Sequence, residues 1–354
     1  MTMPPELNSV WRGAVAEYVT AIAWMPRQLA LFVATGAGEL QHIAPQTGTI
    51  QTLQTPQESS IDCLALSPDG QFLAAGGQDG TVQVWRLTGA IAELVTTLEH
   101  PATWVDQLAW SSTGNQLAFN LGRYVQVWDV ATDAIVTTLN FEASTVLGMA
   151  WHPTKPLLAL CGSQGAKVWD GTDWDEEPVP LAIPSASVAI AWSPDGRYIA
   201  DGNLDNTLTV IEWAMPQSPW MMRGFPAKVR QVAWSDPLTA AGAPLLAACS
   251  ANAIAVWERD QDESVGWANQ ILEDHEGIVR AIAFQPGTML LASAAEDGWV
   301  CLWDKAQKLM QVLDGAPSGF SCLSWHPQGR YLAAGGQAGE VLVWGQPAPG
   351  KGFG

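Results

Sequence analysis

The feature that most constrains this chain is that it repeats itself. An apolar run ending in a large apolar residue, followed by a Pro or Gly turn, recurs at Trp24, Leu66, Trp110, Trp151, Trp192, Trp234, Phe284 and Trp325, at intervals of 41 to 50 residues. A second series closes β-branched runs at Ile43, Trp85, Trp128, Trp169, Ile211, Trp257, Trp303 and Trp344. A period of this size means one small supersecondary unit copied along the chain, each copy unable to bury its apolar face alone. Twelve of the nineteen tryptophans belong to the two series, so their excess has a structural cause.

The best units read alike. Ile61 to Trp85 is IDCLALSPDGQFLAAGGQDGTVQVW, and Phe320 to Trp344 is FSCLSWHPQGRYLAAGGQAGEVLVW. Each holds three short strands. Ser67-Pro68-Asp69-Gly70 typifies the first turn, and Asp79-Gly80 or Asp297-Gly298 the second. A fourth strand follows the Trp, as in Lys308 to Leu313. Helical periodicity is absent, so the chain reads as all-β.

With Trp128-Asp129, Trp169-Asp170 and Trp303-Asp304 added, these units resemble the repeats of the WD40-repeat β-propeller family, in a degenerate, bacterial-type form. The resemblance runs from about Leu7 to Trp344. It implies an antiparallel propeller of four-stranded blades. Eight units predict an eight-bladed propeller in a single domain over residues 7–346, with first strands beginning near residues 18, 60, 104, 145, 187, 228, 278 and 319. After Trp344 the residues are too rich in Pro and Gly for a fourth strand, and 347–354 read as a flexible tail. The spare run Leu7 to Arg12 is therefore expected to pair with Val341 to Trp344 and close the ring, which removes open sheet edges.

The family stabilises a blade with a buried hydrogen-bonded set: the third-strand Trp, a Ser or Thr on the second strand, an Asp in the turn between, and a His ahead of the first strand. The seventh unit has all four, as Trp303, Ser293, Asp297 and His275. The second keeps Trp85 and Asp79 but has Ala75 for the hydroxyl, and the third has His100 and Trp128 without the Asp. The other blades are expected to rely on apolar packing.

Charge and motifs narrow the function. Sixteen Lys and Arg against 35 Asp and Glu give a net charge of −19, which argues against binding nucleic acid or an anionic membrane surface. No apolar run reaches membrane-helix length, and Met1 to Arg12 lacks the basic-then-apolar pattern of a secretory signal, so a cytoplasmic location is expected. Cys63, Cys161, Cys249, Cys301 and Cys322 form no C-x-x-C and lie in strand-like runs, as reduced core thiols would. The five histidines fall in different units, and no zinc-protease, phosphate-loop or nucleophile-elbow motif occurs. The expectation is no enzyme, no metal and no cofactor. Asp170 to Glu177 (DGTDWDEE) faintly resembles a calcium loop but lacks its ligand spacing, and reads as a solvated hairpin; Glu258 to Glu263 is a second acidic hairpin.

Family resemblance places partner contacts on the top face, at positions flanking the start of each first strand and in the turn after the second. Carried onto this chain, they include Tyr18, Trp104, Asp106, Leu147, Lys228, Arg230, Arg280 and Glu296. Trp104, Tyr18 and Leu147 would be exposed apolar anchors. Lys228, Arg230 and Arg280 would form a basic group on blades six and seven, neutralised by Glu273, Asp274 and Glu276 or open to an acidic peptide. The resulting expectation is a scaffold or adaptor, monomeric by itself, binding protein or peptide partners. Alternatives are an assembly or regulatory factor of a larger complex, and a ligand sensor or enzyme using the central channel.

Overall fold

The computed structural model describes residues 6–89, 91–142, 145–262 and 264–347. Their strands form eight separate antiparallel sheets of four strands each. Seven sheets take four consecutive strands. The eighth joins Phe320–Trp325, Tyr331–Gly336 and Glu340–Gly345 to the chain's first strand, Asn8–Ala14. The first strand of every blade lies against the first strands of both neighbours, all the way round, so the sheets make a closed eight-bladed propeller. Of the segment expected to be a tail, all but Pro347 lies outside the described residues.

Closure is made by side chains as well as by the ladder. Asn8–Ala14 pairs from Asn8 opposite Gly345 to Ala14 opposite Glu340, with a bulge between Ser9 and Trp11. Leu7, just before the strand, is 2% exposed and sits in the core between blades seven and eight. Gln311, from the outer strand of blade seven, clamps it: Leu7 N donates to Gln311 Oε1 at 2.9 Å, and Gln311 Nε2 donates to Leu7 O at 2.9 Å. Trp11 lies flat over Gly13, where a Cβ would come within 2.2 Å of the ring.

The tryptophans of the first series also join blades. The indole N–H of Trp24, Trp110, Trp151, Trp192, Trp234 and Trp325 donates to a backbone carbonyl in the first strand of the preceding blade, at 2.9 to 3.2 Å. The acceptor is the residue just before that blade's own aromatic or Leu, so the contact repeats with the sequence. Each such bond is worth about 1 kcal/mol net. Leu66 and Phe284 have no N–H to give, and those two junctions rest on other contacts. Between blades six and seven, Ile282 N donates to Gln231 Oε1 at 2.8 Å. Small residues let neighbouring blades close up: a Cβ on Gly335, in the second strand of blade eight, would meet the Val19 side chain of blade one at 2.4 Å.

Blade five buries a carboxyl. There, as in blade one, an Ile (Ile211) stands where six other blades have Trp, and Asp201, fully buried, stands where blade seven has Ser293. Ser187 Oγ donates to Asp201 Oδ1, while Asp201 Oδ2 has no partner among the described residues. Burial pushes this carboxyl up to about 8, so it is held protonated at neutral pH.

Candidate functional site

The top face is the face where each first strand begins. Its geometry comes from a repeated irregularity. In six blades the ladder slips by one residue at the start of the first strand, and the bulged residues include Thr20, Asp62, Leu147, Arg280 and Ser321. A bulge re-aims its side chain. Some of these residues link blades: Thr20 Oγ1 donates to Ile61 O at 2.5 Å, and Ser321 Oγ to Val19 O at 2.6 Å. Others carry charge. Blade three does the same job with a side chain, Asn120, whose Oδ1 accepts from Asp106 N and Gln107 N while its Nδ2 donates to the Asp106 carboxylate.

Two large aromatics face solvent here: Trp104 is 63% exposed and Tyr18 40%. Asp106 is exposed and Leu147 half-buried. Cys322, Arg280 and Asp62 lie close enough to Tyr18 to act on its hydroxyl. Burial pushes the Tyr18 hydroxyl up, with Cys322 and Asp62 adding to the rise and Arg280 opposing it.

The basic residues divide. Arg280 Nε donates to Glu296 Oε1 at 2.8 Å, and a second guanidinium N–H reaches the same oxygen. Both are carry-over positions, and here they satisfy each other; the neutralising carboxylate is Glu296, not Glu273, Asp274 or Glu276. Lys228 is half-buried and Arg230 exposed, and among the described residues neither has an ion-pair partner. In a ring of eight, blades two and three face blades six and seven across the axis. Asp62 on blade two therefore lies across the axis from Lys228 and Arg230 on blade six, and Asp106 on blade three lies across from the Arg280–Glu296 pair on blade seven.

The four residues of the blade-seven set are joined. His275 Nδ1 lies 2.8 Å from Asp297 Oδ2, its Nε2 lies 2.8 Å from Ser293 Oγ, and Trp303 Nε1 donates to the same hydroxyl at 2.9 Å. Asp297 also accepts from Glu276 N and Trp299 N, which fixes the loop before the blade. In blade three, Phe119 takes the place of the hydroxyl, His100 packs on its ring 5.4 Å away, and His100 Nε2 has no partner among the described residues. Truncating a buried residue with two hydrogen bonds costs more than truncating a half-buried one with none at that nitrogen. His275→Ala is expected to lower stability by about 3 kcal/mol and His100→Ala by about 1 kcal/mol; equal shifts in calorimetry would refute the difference.

Several other titratable groups are tied into structure. His152 Nδ1 accepts from Thr154 N and Lys155 N, and His326 Nδ1 from Gln328 N. Burial pushes the thiols up, to about 11 for Cys249 and Cys322 and about 12 for Cys301, so they stay protonated. In the 170–177 hairpin, Asp170 Oδ1 accepts from Thr172 N and Oγ1, which holds its carboxyl below the usual range. Glu263 of the second acidic hairpin is outside the described residues. Among the described residues no three His, Cys, Asp or Glu are arranged to hold a metal ion, and no helix is long and apolar enough to cross a membrane.

Comparison with known proteins agrees with this architecture. A family model described as "WD domain, G-beta repeat" matches residues 48–86, 182–212, 266–304 and 307–345. Actin-interacting protein 1 of Caenorhabditis elegans is 29% identical over 191 residues, 52% of this chain and 25% of the relative, so the chain spans about a quarter of that protein's length. Nuclear distribution protein nudF of Emericella nidulans is 25% identical over 307 residues, 80% of this chain and 68% of the relative. Among solved structures, Sqt1 from Chaetomium thermophilum superposes with a TM-score of 0.82 at 19% identity, covering 97% of this chain and all of the other. The same protein bound to the N-terminus of the ribosomal protein L10 superposes with a TM-score of 0.81 at 20% identity, covering 96% of this chain and 100% of that one. With eight four-stranded blades closed in a ring and the repeat model recognised in four places, the chain belongs to the WD40-repeat β-propeller family.

Proposed function

We propose that this chain is a non-catalytic, cytoplasmic scaffold that acts as a monomer and binds a protein or peptide on its top face. The observation that carries the reading is that face itself: exposed Trp104 and Tyr18 beside the carboxylates Asp62 and Asp106, with the cations Lys228 and Arg230 across the axis from Asp62. Aromatic anchors with charges of both signs suit recognition of an extended segment in one orientation. The acidic part of such a segment would lie over Lys228 and Arg230. His152, His275 and His326 engaged in backbone, hydroxyl and carboxylate contacts, and thiols held protonated, support a non-catalytic role. Sqt1, a propeller of the same fold, is seen holding the N-terminus of a ribosomal protein, which supports peptide capture as a use of this architecture.

The test begins with affinity purification from the native cell, mass spectrometry, and reconstitution of the complex from purified components. The double variant Lys228→Glu, Arg230→Glu should weaken binding at least about tenfold, and Trp104→Ala by about thirtyfold. A reconstituted partner that binds both variants like the parent chain would remove the top face from the interface.

A further inference from the structure

The cleft between blades five and six invites a second reading of recognition. Blade five ends in a three-residue outer strand, Trp220–Met222, whereas the outer strand of blade six, Trp267–Leu272, has six. The outer half of blade six is therefore left uncovered on the side facing blade five. The result is a cavity of about 580 Å³ whose lining includes Phe225, Ala255, Trp257 and Ile271 together with the charged Arg223 and Glu273.

Comparison with blade seven explains the space. Four residues before the buried Val that starts each first strand, blade seven has His275 and blade six has Phe225. The register puts Ala248 where Ser293 stands, and Asn252 lies in the shorter turn that replaces the one holding Asp297. Phe225 keeps the ring-to-ring contact, 6.5 Å from Trp257 as against 6.4 Å between His275 and Trp303. The hydrogen bonds are lost: Trp257 Nε1 is buried without an acceptor among the described residues, and Asn252 Nδ2 turns to His275 O. Blade six thus has an aromatic, apolar recess where blade seven has a closed polar set.

The charges around the recess are arranged unevenly. Arg223, Lys228 and Arg230 all lie on the one connection from blade five to blade six. Among the described residues the Arg223 guanidinium meets the Met221 sulfur, at 3.0 Å, and no carboxylate. Glu273 also lines the cavity, and its charge disfavours acids beside it. Ile271 is 45% exposed, a large apolar surface left for something else to cover.

We propose that this cleft takes a bulky apolar side chain from a peptide whose neighbouring residues are acidic, the acids running along Arg223, Lys228 and Arg230. The inference rests on the top face being the partner-binding side, and adds a pocket and a sequence preference to it. The apolar anchor supplies affinity by displacing water from Phe225, Ala255 and Ile271, and the acidic run sets direction.

The test is selection of a random twelve-residue peptide display library on the full chain, followed by fluorescence polarisation with the best enriched peptide as probe. The expected result is enrichment of peptides with a large apolar residue within a few positions of two or more acids. Ile271→Arg and Arg223→Glu, both at exposed positions, should each raise Kd about tenfold or more with the thermal midpoint unchanged. No enrichment, or selected peptides that bind both variants like the parent chain, would overturn the proposal. Failure here is separable from failure of the top-face reading: a natural partner lost by the Lys228, Arg230 double variant but indifferent to Ile271→Arg keeps the platform and discards the cleft. The reverse pattern keeps the apolar pocket as the contact and overturns the acidic run along Lys228 and Arg230.

Discussion

Deleting residues 1–14 is expected to lower the thermal midpoint by about 10 °C or more and to make the protein aggregate on heating. The reasons are additive. Leu7 leaves a core in which it is almost fully enclosed, a loss of about 2 to 3 kcal/mol. Glu340–Gly345 loses its partner strand and becomes an open edge carrying Val341, Val343 and Trp344. Gln311 keeps neither of its bonds to Leu7. Gln311→Ala isolates the last effect, and should cost about 1 to 2 kcal/mol with the strand still in place. Calorimetry of the truncated chain decides the matter: a melt indistinguishable from the full-length protein would mean that the ring holds without its first strand.

Asp201→Asn is the second large effect, and its sign is opposite. The Asp201 carboxyl titrates near 8 in the folded chain because burial penalises its charge, against about 4 when unfolded. Between those values the folded state carries a proton that the unfolded state does not. Stability contributed by this group is therefore full at low pH and falls as pH rises from about 4 to about 8, by about 1 kcal/mol per unit. Asn keeps an oxygen for the Ser187 hydroxyl and does not ionise. The variant should be more stable than the parent by about 2 kcal/mol or more at pH 8, with the advantage shrinking towards pH 5. Urea melts of both proteins across that range test it; parallel pH profiles would show that Asp201 ionises as an ordinary carboxylate.

Much of the architecture is legible in the sequence because its signals repeat. The aromatic ending each first strand marks a blade, and the leftover strand before the first unit has an open ladder waiting for it after the last. The closing strand runs Asn8–Ala14, slightly later than the run Leu7 to Arg12, because Leu7 turns into the core in place of joining the ladder. What is not legible depends on register and on neighbours. Asp201 sits in an apolar run that looks like any other second strand; only pairing with blade seven shows that it occupies the place of Ser293. The tryptophan excess is visible as a count, but the indole bonds from blade to blade require knowing how closely first strands approach. Arg280 and Glu296 read as two outward-facing positions sixteen residues apart, and only the turn of the blade brings them into one ion pair. The cleft beside Phe225 arises from a strand that stops early in the neighbouring blade, which no local pattern records.

The central claim is that eight blades form one ring locked by the chain's first strand. Amide hydrogen exchange of the intact protein tests it most directly. Amides of Ser9 to Gly13 that pair with Glu340–Gly345 should exchange as slowly as those of Tyr331–Gly336 in the same blade. Exchange of those first-strand amides at the rate of free peptide, while the rest of the blade stays protected, would contradict it.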